Sequence, residues 1–155
     1  VTGALQSLAR RIIYMTHHEK KIKVLLAQFP LETHSRGIIT VAGMLRDAGM
    51  EIILLGNALS EQIIEVAVQE SVDVIGISTY CGGELALGSD LLKAAEKAGI
   101  KESTVFIIGG IFPPKNASKL EEVGFNATFP PSSTKEDIVS SIENAVDSKR
   151  GADAG

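Results

Sequence analysis

The sequence predicts a doubly wound α/β domain built on a parallel sheet. Apolar or β-branched runs alternate with amphipathic helical patterns five times along the chain, and the connections between them are short. A length of 155 residues suits one domain with a sizeable core.

The first strand is expected over residues 22–27, an apolar run interrupted only by Lys23. Ile38, Val41, Ala42 and Leu45 then recur at helical spacing and stop at Gly49. A second strand over 51–55 leads to the stripe Ile63, Ile64, Ala67 and Val68, with Ser60 as its N-cap and Glu61 in the first turn. The third strand, 72–78, is followed by a helix over 85–98 that ends at Gly99. The second and third runs both read as parallel strands covered on two faces. A fourth strand, 104–108, precedes a short helix on Ala117, Leu120 and Val123 that ends at Gly124. The fifth strand, 127–129, feeds a helix on Ile138, Ile142 and Val146. Ser133 or Thr134 caps it, and Glu136 and Asp137 fill its first turn.

Repeated βα units of this kind place right-handed crossovers and helices on both faces of the sheet. Five strands in one small domain favour the flavodoxin-like (Rossmann-like) order 2-1-3-4-5, with a switch point between the first and third strands. The ends differ from this middle. Residues 1–20 carry Leu5, Leu8, Ile12 and Ile13 on one stripe and read as a helical arm; 21–147 form the domain; 148–155 are polar, Gly/Ala-rich and read as a disordered tail.

Composition excludes several classes. With 15 basic and 19 acidic residues the net charge is -4 and no basic stripe exists, which argues against nucleic acid. The single Cys81 rules out an internal disulfide and fits a reducing compartment. No apolar run approaches the roughly 20 residues needed to span a bilayer, so no membrane partner is expected. The N-terminal residues lack the apolar core of a signal peptide. A cytoplasmic protein is expected.

Functional residues concentrate at the carboxyl ends of the strands, where open α/β sheets bind ligands. After the first strand comes Glu32-Thr33-His34-Ser35-Arg36-Gly37, an imidazole with a carboxylate two residues before it. A metal-ligating histidine needs an acceptor on its other ring nitrogen, and Glu32 is placed to be one. After the third strand stand Ser78, Thr79 and Tyr80, and after the fourth Gly109-Gly110. Singly these are ordinary loop residues. Together they make a glycine-lined slot opened by an imidazole, which suits a large flat ligand carrying a metal. No Gly-rich phosphate loop with a Lys is present. Cys81 reads as a small hydrophobe beside the site, and the adjacent His17 and His18 lack the spacing of a shared metal site. Arg36 suits either a phosphate or solvent.

The pattern resembles the cobalamin-binding domain of the methylmalonyl-CoA mutase family, from about Lys21 to Ile142. Members of that family carry Asp-x-His-x-x-Gly, then Ser-x-Leu after the third strand, then Gly-Gly after the fourth. Here the three motifs are Glu32 to Gly37, Ser78-Thr79-Tyr80 and Gly109-Gly110; residues 45–52, 72–78 and 109–114 also look like acyl-CoA mutase domains. Two positions depart: Glu32 stands for Asp, and Tyr80 for Leu.

The resemblance implies that His34 is the lower axial ligand to the cobalt of adenosylcobalamin, replacing the cofactor's own base. The freed nucleotide tail would enter the slot near Ser78, Gly109 and Gly110, with Gly37 opening the first helix where it passes. It further implies a small subunit that holds the cofactor for a separate, large acyl-CoA-binding barrel subunit in a hetero-oligomer. The chain would contribute no catalytic residue and would not isomerise substrate alone. A corrinoid shuttle for methyl transfer is the alternative, disfavoured because some 20 residues before the first strand cannot form a capping bundle. A cobalamin sensor or degenerate interaction module is the other.

Overall fold

A computed structural model describes residues 3–10 and 20–153. A helical segment, α1, covers residues 3–10 and leaves Leu5 and Leu8 exposed. The order is then β1 (Lys23–Gln28), α2 (Arg36–Asp47), β2 (Glu51–Asn57), α3 (Ser60–Glu70), β3 (Val74–Thr79), α4 (Glu84–Lys97), β4 (Val105–Gly110), α5 (Pro114–Val123), β5 (Ala127–Phe129) and α6 (Lys135–Asp153). All neighbouring strands pair in parallel, in the order β2-β1-β3-β4-β5. Fold and strand order are as the sequence leads one to expect.

Side chains alternate across the strands, so the sheet supports two cores. Leu25, Ile75, Phe106 and Ile108 meet Ile63 of α3, Leu91 and Leu92 of α4 and Leu120 of α5. Val24, Leu26, Val74, Val105 and Ile107 face the other way, onto Ile38 and Leu45 of α2 and Ile138, Ile142 and Val146 of α6. Burying each such side chain contributes about 1.5–3 kcal/mol.

Strand register builds the second face in rows. Val24, Val74 and Val105 form the base. Leu26, Gly76 and Ile107 come next, and Gln28, Ser78 and Gly109 form the carboxyl-end row. Gly76, Ser78 and Gly109 carry little or no side chain on this face, and the space they leave under α2 and α6 is not filled.

Three expectations need correction. β2 lies at the sheet edge and is not covered on both faces; Leu54 is 49% exposed. Its apolar run records hydrophobicity, whereas its position is set by strand order. The N-cap of α3 is Leu59, whose amide donates to Gln62 Oε1 at 2.9 Å, and Ser60 is the first helical residue. The expected disordered tail, 148–155, is helical as far as Asp153. Tertiary contacts hold it: Lys149 Nζ donates to the Lys101 carbonyl at 3.2 Å, and Arg150 pairs with Asp73 at 3.3 Å. Residues 154 and 155, like Ile12, Ile13, His17 and His18 of the arm, lie outside the described residues. At α6 the cap is Thr134, which exchanges hydrogen bonds with Asp137 through both backbone amides at 3.1 Å.

Candidate functional site: an imidazole above an apolar slot

The loop after β1 is fixed from several sides. The Glu32 amide donates to the Phe29 carbonyl at 3.0 Å, which closes a turn. The Asn57 side chain, at the end of β2, donates to the carbonyls of Phe29 and Glu32 at 3.0 and 2.6 Å. The buried Gln28 amide donates to the His34 carbonyl at 2.6 Å. His34 therefore sits on an anchored segment.

Glu32 turns inward and His34 outward; their side chains are 2% and 63% exposed. Glu32 Oε2 accepts the amides of Tyr80 at 2.6 Å and Cys81 at 3.2 Å. Oε1 lies 3.0 Å from the His34 amide, 2.9 Å from His34 Nδ1 and 3.3 Å from the Cys81 thiol. Burial alone pushes the Glu32 carboxyl up. The Tyr80 and His34 amides, the imidazole and the thiol outweigh it and bring the group from 4.5 down to about 2. An ionised carboxylate can only accept, so the neutral ring carries its proton on Nδ1. The lone pair is then on Nε2. The longer Glu32, in place of Asp, thus reaches the imidazole.

Below His34 opens a cavity of about 490 Å³. His34, Arg36, Gly37, Ser78 and Tyr80 line its mouth, together with Gly109 and Gly110. Its floor is apolar, made of Leu26, Val41, Met44, Gly76, Ile107 and Ile138. Pro130, Pro131 and Ser133, after β5, complete the lip.

Seven of the eleven residues picked from sequence thus line one cavity, and Glu32 stands behind His34. Thr33, Ser35 and Thr79 are outside the lining. Thr79 is buried, and its carbonyl oxygen lies where a Cβ on Gly110 would have to go. With φ of 145° as well, Gly110 tolerates no side chain. Gly37 faces Tyr80: a Cβ there would be 2.8 Å from the Tyr80 hydroxyl oxygen. The Tyr80 ring is 5.7 Å from the imidazole, tilted by 43°.

Sequence reasoning missed the floor of the slot. One signal was available, since Gly76 interrupts an otherwise apolar buried strand and so marks a close approach. The Cβ it lacks would stand 2.7 Å from Leu26 Cδ2.

The donor set fits a corrinoid with a displaced tail. A carboxylate-locked imidazole offers Nε2 to a metal at the mouth, and the apolar slot beneath suits a flat aromatic group on a polar tether. Residues 22–143 match the B12 binding domain family. The chain belongs to that family. Among its relatives, the 2-hydroxyisobutanoyl-CoA mutase small subunit of Aquincola tertiaricarbonis is 35% identical over 132 residues, 84% of this chain and 96% of that one. The pivalyl-CoA mutase small subunit of Xanthobacter autotrophicus is 34% identical over 124 residues, 79% of this chain and 82% of the other. A crystal structure of a cobalamin-binding protein from Desulfitobacterium hafniense DCB-2 superposes with a TM-score of 0.70 at 21% identity, over 81% of this chain and 59% of that one. That likeness speaks for the fold. For this B12-binding domain, the His34–Glu32 pair and the slot lie where its first, third and fourth strands end. None of the described helices is long and apolar enough to cross a membrane.

Proposed function

We propose that this chain is the cobalamin-binding small subunit of an adenosylcobalamin-dependent acyl-CoA mutase, presenting the cofactor to a large acyl-CoA-binding barrel subunit. The observation that carries the reading is the imidazole held by a buried carboxylate directly above an apolar slot. The small-subunit relatives support the division of labour.

In this reading His34 Nε2 would hold the cobalt, and the slot between the sheet and α2 and α6 would take the nucleotide tail. When bound, the cofactor supplies radical carbon-skeleton chemistry through its cobalt–carbon bond. This chain's residues hold and orient. Glu32 keeps the ring proton on Nδ1 and raises the basicity of Nε2. Gly76, Ser78 and Gly109 leave room for the tail, and Arg36, at the mouth, is placed for its phosphate. Tyr80 borders the opening, its hydroxyl lying over Gly37. Thr33, Ser35 and Thr79 shape the loops around the cofactor without reaching into the slot. The chain supplies no catalytic residue. Its place of work is the cytoplasm, where the free Cys81 stays reduced.

The test is spectroscopic. Cobalamin added to the protein should give a base-off, His-on absorption spectrum, and His34→Ala should abolish the protein–cobalt bond while unfolding is unchanged. An unaltered cobalt spectrum in that variant overturns the axial assignment. With adenosylcobalamin and an acyl-CoA the chain alone should show no turnover, and activity should appear on adding the large subunit. Turnover by the isolated chain refutes the division of labour. Tight cofactor binding with no barrel partner moves the weight to the methyl-transfer shuttle or the cobalamin sensor.

A further inference from the structure

Cys81 takes no part in holding the cofactor in the account above, yet its thiol completes a triangle with the two groups that matter most. Glu32 Oε1, His34 Nδ1 and Cys81 Sγ are separated by 2.9, 3.3 and 3.9 Å. Among the described residues this is the one cluster whose ligand atoms are near enough to share a metal ion. We propose that Glu32, His34 and Cys81 form a binding site for a thiophilic divalent cation, foremost Zn²⁺, whose occupation excludes His34 from ligating cobalt.

Geometry supports the cation. Tetrahedral Zn²⁺, with bonds of roughly 2.0–2.3 Å to N, O and S, separates its ligands by about 3.4–3.6 Å. The observed triangle brackets those edges, and the edge that changes most, between Glu32 and His34, opens by about half an ångström. The donor set also selects the ion. Thiolate, imidazole and carboxylate together suit Zn²⁺ and disfavour Mg²⁺ and Ca²⁺, which take oxygen ligands.

Preorganisation and access come from different residues. Oε2 of the buried Glu32 is held by two backbone amides, which fixes Oε1 towards the ring and the sulfur. His34 and Cys81 are exposed, so an ion arrives from solvent and a water fills the fourth position.

Exclusion follows from counting protons. Without the ion, the ring proton is on Nδ1 and the lone pair on Nε2. A cation on Nδ1 needs the lone pair there, so the ring proton moves to Nε2 through solvent. The thiol proton is released to bulk water. Zn²⁺, one thiolate and one carboxylate then sum to zero charge, and nothing is oxidised or reduced. The protonated Nε2 has no lone pair for cobalt. Zinc and axial ligation thus require opposite tautomers of one histidine.

Metal binding rests on the triad alone, and only its effect on axial ligation rests on the cobalamin reading, so the two are tested apart. Cofactor-free protein is first titrated with aqueous Co²⁺ as a spectroscopic substitute for zinc. A thiolate-to-metal charge-transfer band should appear, collapse on adding Zn²⁺, and be absent in Cys81→Ser. Other surface histidines or carboxylates give no such band. Absence of the band in wild type, or its persistence in Cys81→Ser, overturns the site. Cobalamin-loaded protein is then given Zn²⁺. The His-on spectrum should be lost in wild type and kept in Cys81→Ser, which retains His34 and Glu32. A charge-transfer band in the first titration with an unchanged cobalamin spectrum in the second overturns the exclusion.

Discussion

The two faces of the sheet are packed to different ends. On the face under α3, α4 and α5 the strands present large side chains, and Phe106 meets Phe125 edge-on with ring centroids 6.4 Å apart. On the face under α2 and α6 the base row is three valines, but the rows above shrink to Gly76, then to Ser78 and Gly109, and a cavity of about 490 Å³ remains. Alternation along each strand lets neighbouring residues serve opposite demands. Phe106 and Ile108 fill one core while Ile107 and Gly109 border the slot. A ligand can therefore enter one face without loosening the other.

Mutation should separate the faces, and the largest effect belongs to the filled one. Phe106→Ala should lower unfolding free energy by about 3–5 kcal/mol, measured in urea. Met44→Ala, which enlarges a void already open to solvent, should cost less than about 1.5 kcal/mol. Equal losses would show that the slot is closed in solution.

Next comes Glu32→Gln, which should weaken cobalamin ligation roughly 10–100-fold by binding titration. Its stability effect depends on pH. A folded-state value of about 2 against 4.5 makes ionised Glu32 worth about 3 kcal/mol. That contribution is whole above pH 4.5 and drains away as pH falls towards 2. The gap between wild type and Glu32→Gln should narrow across that window. Glu32→Asp should retain more ligation than Gln; equal affinity in all three would release Glu32 from the relay.

Gly109→Ala should leave stability within about 0.5 kcal/mol, because the new Cβ meets Phe129 at 3.4 Å, an ordinary contact. It should weaken cobalamin binding by about tenfold, as one misplaced methyl does in a packed site. Smallest is Gly37→Ala, in the first turn of α2. Helix propensity favours it by at most about 1 kcal/mol, provided the Tyr80 hydroxyl yields the 2.8 Å contact. A loss of stability would mean that Tyr80 is locked in place.

The legible parts of this molecule are those whose cause is local. Apolar runs and their intervals predicted every strand and the order of the sheet, and the motif loops predicted the His34–Glu32 pair. β2 misled because its run of Ile and Leu resembles that of β3, while only strand order makes it an edge. The floor of the slot was hidden for a related reason. Val41, Met44 and Ile138 sit on their helices like any core residue, and whether a core residue meets a neighbour or a void is a property of the packed whole. The last turns of α6 were missed because Lys149 and Arg150 are held by residues 48 and more positions away.

Glu32 also joins the two sides of the switch point. Its carboxylate accepts the amide of His34 from its own loop and those of Tyr80 and Cys81 from a loop 48 and 49 residues further on. None of these three amides can be exposed to solvent deuterons without disturbing the same buried charge. They form one opening unit spread over two distant stretches of chain. Hydrogen exchange at His34, Tyr80 and Cys81 should report a single opening free energy, above that of the exposed loop residues beside them. Glu32→Gln should split the trio, each amide then exchanging at the rate its own loop permits.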